Sequence, residues 1–349
     1  MACKRTRPKR LFPIALAAAA ALALLAPGAP AAERVTLFVT SEFTDTVGVY
    51  KGEVPDLKRV KTIRVGRDPH NMGISPDGRW VVSGDRLAEQ VSVIDTKSLD
   101  RVQVLKTGKH PHDVHFSPDG KLLFVGHERE NFIHVFETVT WKRLAPIEVG
   151  AAQHDLSLSP DGRELWFTIT NRPYRKWEAR LGVVDLAAAE RKVAWVFGTG
   201  NAHDAIFSPD NRTMWVTNGG FIGHAVPWVN VLDVRARRVL GTIKVGEYPF
   251  HSPKRGRDGY HVPLDAKEMW FSDHGTSSVI IMDVATMKPV GSVPVGKAPF
   301  HIAVTPGGVL FVANHDSHTV TVIDGKAKKA LATLQVAKEP HGLAVLAGE

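Results

Sequence analysis

The sequence predicts an all-β chain folded as a seven-bladed β-propeller, a ring of small sheets closed by strands from both termini. Three observations carry that prediction. Turn signals recur in register, giving units that begin at Pro69, Pro111, Gln153, Ala202, Pro249, Pro299 and Pro340, 41 to 50 residues apart, and periods of that size belong to propeller blades or helical arrays. Each unit alternates β-branched and aromatic residues, as in Trp80-Val81-Val82, Val91-Ser92-Val93-Ile94-Asp95 and Val104-Leu105; no unit has a helical period, so the blades are sheets. The ends complement each other: Pro340 to Val345 supplies one strand and Arg34 to Val65 three, and joining them removes an open edge that would invite aggregation.

Residues 1–32 read as a secretory signal, with Lys4, Arg5, Arg7, Lys9 and Arg10 ahead of an apolar run from Leu11 to Ala26 and a small-residue cleavage site at Ala29-Pro30-Ala31-Ala32. The run is short for a membrane span. Lys9-Arg10-Leu11-Phe12 partly matches a twin-arginine export signal, with one Arg replaced by Lys, which leaves the export route open. The expected location is periplasmic or secreted. The single cysteine, Cys3, lies in this segment, so residues 33–349, the propeller, carry no thiol. Disulfides (hence a disulfide-linked partner), c-type haem attachment, thiolate metal sites and cysteine nucleophiles are thereby excluded from it. The segment holds five basic and no acidic residues, so the formal +8 of the whole chain falls to +3 once it is removed. That modest charge argues against a nucleic-acid partner.

Within the units, Ser-Pro-Asp-Gly and Ser-Pro-Asp-Asn segments are turns, where Pro fixes φ and Asp bonds its own backbone. These turns, strands ending near Asn (Phe311-Val312-Ala313-Asn314), the Val-x-Val-Ile-Asp run (Val320-Thr321-Val322-Ile323-Asp324) and Val245-Gly246 resemble the YVTN family of β-propeller repeats over essentially all of residues 34–349. The resemblance implies the fold. It says little of function, because the family includes surface proteins, binding proteins and enzymes.

The chemical signal is a column of histidines. His70, His112, His154, His203 and His341 occupy one position of the unit, and His251 and His301 follow one residue later, where Phe250 and Phe300 take the original place. A closed ring turns such a column into a circle of imidazoles around the central channel, and imidazole is the commonest protein ligand for transition metals. A second set, His274, His315 and Glu128, ends the second strand of its blades and converges on the same rim. His251, His274, His301, His315 and His341 are the first candidates because neighbouring units contribute both sets there; His70, His112, His154 and His203 complete the ring. Asp113, Asp155 and Asp204 follow histidines of the column and are candidates for orienting a ligating imidazole.

Three insertions emerge on the histidine face, and two are basic: Arg172, Arg175 and Lys176 in one, Lys254, Arg255 and Arg257 in the other. They would attract an anion or an acidic partner, with Tyr174 and Trp177 as further contacts. His110, His115, His134, His224 and His318 read as ordinary packing or loop residues.

A ring of imidazoles without thiolate suits copper or zinc. Its placement resembles the catalytic propeller of nitrous oxide reductases, although the adjacent His-His pair and Cys-containing copper domain of those enzymes are absent. The remaining expectations are a metal carrier served by a metal-transport component, or a copper oxidoreductase served by a separate periplasmic electron carrier; whether the protein is an enzyme stays open. Two alternatives stand beside them. One is a metal-free interaction scaffold with structural histidines. The other is a haem-binding propeller resembling haem d-type domains, with one ring histidine as axial ligand.

Overall fold

The computed structural model describes residues 33–169, 180–197, 199, 202–218, 226–249 and 267–348. Seven antiparallel sheets follow one another in chain order, and each is counted here as a blade from its inner strand outward. The first blade runs Pro69–Ile74, Trp80–Asp85, Gln90–Asp95 and Asp100–Lys106. Closure is as the sequence predicts: Pro340–Ala347 is the inner strand of the seventh blade and pairs with Arg34–Ser41, followed by Thr46–Glu53 and Asp56–Arg64. In the fifth blade the described strands are Glu268–Asp273, Ser278–Asp283 and Lys288–Pro294, with a bridge from Pro249 to Asp273 marking the start of the inner position.

The Ser-Pro-Asp-Gly turns form because each polar group has a local task. In the first, Ser75 Oγ donates to Asp77 Oδ1 at 2.6 Å, the Arg79 N–H donates to the same oxygen at 3.0 Å, and the Trp80 N–H donates to Ser75 Oγ at 2.9 Å. Gly78 has φ 72°, a conformation glycine adopts without steric cost. The turn recurs with Gly120, Gly162 and Asn211 in the left-handed position. These residues set the length of the inner hairpin and so the depth at which each histidine sits.

Alternation along the strands buries apolar side chains between neighbouring blades. Val82, Val91, Val93 and Leu105 of the first blade pack with Val114, Phe116, Leu123, Val125 and Phe136 of the second. Trp166 and Trp215 are fully buried between later blades. Near the axis the blades are fastened by polar groups: Asp113 Oδ2 accepts from the Leu156 N–H at 2.8 Å and Asp155 Oδ2 from the Ala205 N–H at 3.1 Å, each reaching the inner strand of the next blade.

The seam between the last and first inner strands is tight at Gly342. A Cβ there would lie 2.3 Å from the His70 carbonyl oxygen and 3.0 Å from the Met72 nitrogen, both backbone atoms. Thr40 Oγ1 donates to the His70 carbonyl and accepts from the Gly342 N–H. We expect Gly342→Ala to force the two strands apart and lower unfolding free energy by roughly 1–3 kcal/mol, measurable as a reduced denaturant midpoint with an unchanged slope.

Candidate metal centre

A backbone irregularity aims the histidines. In the first, second, third, fourth, sixth and seventh blades the inner strand has one more residue than its partner between consecutive pairs, for example between Pro69↔Asp85 and Met72↔Ser83, or Pro111↔His127 and Val114↔Val125. Such a bulge twists the strand and re-aims side chains. The two residues inside it are the histidine of the column and its successor, except in the sixth blade, where they are Phe300 and His301.

The result is an arc of imidazoles from five consecutive blades. Ring centroids are 3.5 Å apart for His341 and His70, 4.3 Å for His70 and His112, 4.0 Å for His112 and His154, and 4.0 Å for His154 and His203. All five are buried. The arc continues to His301, 4.9 Å from His341. Phe300 takes the ring position in that blade and packs against His274, His315 and His341. The closest packing therefore lies on the five histidines in strict register, whereas of the first candidates from the sequence His274, His315 and His341 meet at Phe300.

Hydrogen bonds fix which ring nitrogen faces the rim. His70 Nδ1 lies 2.9 Å from Asn71 Oδ1, and Asn71 Nδ2 donates to Asp113 Oδ1 at 3.0 Å, so the imidazole must donate through Nδ1. His112 Nδ1 lies 2.7 Å from the His154 carbonyl oxygen, which can only accept. Both neutral rings then present the Nε2 lone pair. His70 Nε2 lies 3.3 Å from Glu42 Oε1, and His112 Nε2 lies 3.9 Å from Glu128 Oε1.

A lone pair facing a carboxylate oxygen is repulsive unless a cation lies between them. A proton is disfavoured: burial, then the Arg86 charge and the neighbouring imidazoles, hold His70 well below the usual imidazole range. Burial likewise brings His112 down to about 4, against the opposing pull of Glu128. Neutral imidazole is the state that binds metal.

The carboxylates reveal a second column. Glu42, Arg86, Glu128, His274 and His315 each follow the last residue of a second strand, and their N–H groups donate to the residue just before the inner strand: Glu339, Asp68, His110, Tyr248 and Ala298 respectively. Glu128, His274 and His315 were legible as this set; Glu42 and Arg86 were missed. The shared position was the signal that identifies them, but a search keyed to histidine passes over a glutamate and an arginine. Arg86 forks onto Asp68 at 2.9 and 3.0 Å and lies 3.5 Å from Glu42 Oε1, placing a fixed cation between the two carboxylate-bearing sectors.

Among the described residues, three groupings built on the arc place one ligand atom from each residue within 4.8 Å of the others: Glu42 with His70 and His341, His112 with Glu128 and His154, and His154 with His203 and Asp204. Bonds near 2.1 Å in a tetrahedral shell put ligand atoms about 3.4 Å apart. The 3.3 Å from Glu42 Oε1 to His70 Nε2 has that spacing, and the 3.9 Å to His341 Nε2 needs only a small closure. The donor set fits a transition metal.

Of the aspartates expected beside the imidazoles, Asp204 lies 3.3 Å from His203 Nδ1. Asp113 reaches His70 of the preceding blade through Asn71 and also meets His115 Nε2 at 3.3 Å. Asp155 fastens the neighbouring strand. His134 is buried against His127, with Glu130 nearby. That trio is less suited to metal. His127 Nε2 accepts from the Gly108 N–H and Nδ1 faces the Phe132 carbonyl, while Arg143 lies 3.1 Å from His134 Nε2. His127 thus holds the inter-blade loop where Asp85 does so in the first blade by accepting from Gly66. His251, His224, Tyr174, Trp177, Arg172, Arg175, Lys176, Lys254, Arg255 and Arg257 lie outside the described residues.

Solved structures share this architecture. Hydrazine synthase of Kuenenia stuttgartiensis is 19% identical with a TM-score of 0.68, over 82% of this chain and 94% of that one. The dihydro-heme d1 dehydrogenase NirN, solved in complex with DHE, is 20% identical with a TM-score of 0.60, over 88% and 67%. Apo AztD from Citrobacter koseri is 14% identical with a TM-score of 0.65, over 91% and 99%. At such identities the likeness is one of fold. A search of the curated proteins finds no match. The YNCE-like beta-propeller family, by contrast, matches residues 9–348, nearly the whole sequence, and the chain belongs to it.

Proposed function

We propose that this protein is exported to the periplasm or secreted and binds a transition-metal ion, copper or zinc, through the histidine arc at the mouth of its central channel. It serves either as a metal carrier or, with copper, as an oxidoreductase. The observation that carries the reading is the pair of imidazoles whose Nδ1 atoms are held by acceptors and whose Nε2 atoms face Glu42 and Glu128. Bound there, the metal would supply Lewis-acid or one-electron chemistry; the chain supplies preset tautomers, carboxylates and a buried setting. The signal-like residues 1–32 support export, and no helix among the described residues is long and apolar enough to cross a membrane. The basic segments containing Arg172, Arg175, Lys176, Lys254, Arg255 and Arg257 would draw an acidic electron carrier or metal-transport component to the same rim.

Elemental analysis and visible spectroscopy of protein exported to the periplasm test this reading. We expect copper or zinc at near-stoichiometric level in the wild type and its loss from a His70→Ala/His154→Ala variant. A metal-free wild type that takes up added copper and zinc no better than the variant would sink the proposal. A Soret band would instead favour the haem alternative, for which NirN offers a precedent of fold.

A further inference from the structure

Glu42 stands between two sets of ligands. Its Oε1 faces the buried pair, 3.3 Å from His70 Nε2 and 3.9 Å from His341 Nε2, while its Oε2 faces outward, 3.6 Å from His315 Nε2. Glu42, His315 and Glu339 form a further grouping with ligand atoms within 4.8 Å, and all three are half-buried where the inner histidines are buried. His315 is prepared as His70 is: its Nδ1 is held by Asp316 at 2.7 Å, so Nε2 is turned to the carboxylate. Glu339 is held in the left-handed conformation at φ 55°, and its carbonyl accepts from the Glu42 N–H at 3.1 Å. The two glutamates are therefore tied through the backbone at the mouth.

Resting on the metal-binding reading above, we propose that Glu42, His315 and Glu339 form an entry site for a divalent cation, and that Glu42 passes the ion inward to His70 and His341. The ion arrives with its water shell and exchanges waters for the two carboxylates and His315. It then transfers as Glu42 changes from Oε2 to Oε1 coordination, His70 and His341 replacing His315 and Glu339. No bond other than metal coordination is made or broken. Glu42 stays attached throughout, so the ion never has to regain its full hydration shell among the buried inner histidines, which would be the slow step of an unassisted entry.

Rapid mixing of the full chain with cobalt(II), whose visible bands report an ordered ligand shell, tests the relay. In a His315→Gln/Glu339→Gln variant we expect loading to slow by about 10-fold or more, with final occupancy and band shape unchanged. Glu89, an exposed carboxylate on a neighbouring loop of the same face, is the control: Glu89→Gln removes one charge without touching the site and should change the rate far less, because steering by the mouth's overall charge contributes only part of an on-rate gain of about 10 to 1,000-fold. Loading of the double variant at the wild-type rate, or an equal slowing by Glu89→Gln, would overturn the relay while leaving the buried site intact. A wild type that binds no cobalt(II) or zinc(II) overturns both proposals. Should the double variant fold poorly, the half-buried Glu339→Gln alone carries the same rate comparison.

Discussion

The metal-free protein is expected to lose stability steeply between pH 6.5 and pH 4, and His112 alone accounts for about 3 kcal/mol of the loss at the acid end. The ring is buried and its folded-state pKa is lowered to about 4, burial being the main cause. In the unfolded chain the imidazole protonates near its ordinary value of about 6.5. Over that window the unfolded state takes up a proton the folded state refuses, so its stability contribution is present above pH 6.5 and is lost as pH falls toward 4. His70 adds in the same direction, its pKa lowered by burial, Arg86 and the adjacent rings, as does His127, lowered to about 3 chiefly by burial. His315 opposes them: burial lowers its pKa, but Glu42 and Asp316 outweigh that and raise it. Its stabilisation is present at low pH and is lost as pH rises through the raised value. Denaturant melts at pH 7.5 and 4 measure the balance. In His112→Gln the difference between them should shrink by about 3 kcal/mol; an unchanged difference would show that His112 titrates normally in the folded protein. Bound metal requires the same neutral rings, and because the folded His112 ring stays neutral down to about pH 4, protons should displace the metal only as the pH approaches that value.

The propeller was legible in the sequence because its determinants are local and repeated. Ser75, Asp77 and Gly78 specify a turn with their own atoms, and the same solution recurs at Ser117 and Ser159. Terminal closure was legible because the strands left over at the two ends make one blade. The site was legible only in part. The column of histidines is a sequence feature, and the structure gathers five of them into contact. What the sequence could not supply is the bulge, which places both residues following the inner proline near the axis and makes Asn71 and Asp113 partners of His70. Nor does a pattern of histidines point to the acids they face. Glu42 sits next to Ser41, hundreds of residues from His341 along the chain, and comes within reach of it only because the ring closes. The shift of His301 by one residue puts Phe300 on the ring, so strict register proved the better guide to which imidazoles pack together.

Replacing His70 should weaken metal binding at the Glu42 site by on the order of 100-fold, because a few ligands share a binding free energy of about 10–16 kcal/mol in structural zinc sites. A more discriminating variant is Asn71→Leu. It leaves His70, His341 and Glu42 in place but removes the oxygen that holds His70 Nδ1–H, along with the amide that donates to Asp113. If these contacts orient the ligand, affinity should fall about 10 to 100-fold, the range seen when a partner behind a metal-bound histidine is lost. If the histidines serve only to fasten blades, Asn71→Leu should lower stability without affecting metal uptake, and His70→Ala should behave likewise. Competition titration with a chelator, alongside a denaturant melt of each variant, separates these outcomes. A histidine off the arc supplies the baseline: His115 is neither on the ring nor in any of the rim groupings, and it meets Asp113 at Oδ2 rather than at the Oδ1 that Asn71 bonds, so His115→Ala should keep affinity close to the wild-type value. Loss of affinity in Asn71→Leu, with His115→Ala at the wild-type value, would require a ligand role for His70, because a purely structural imidazole has no reason to transmit the change to a metal.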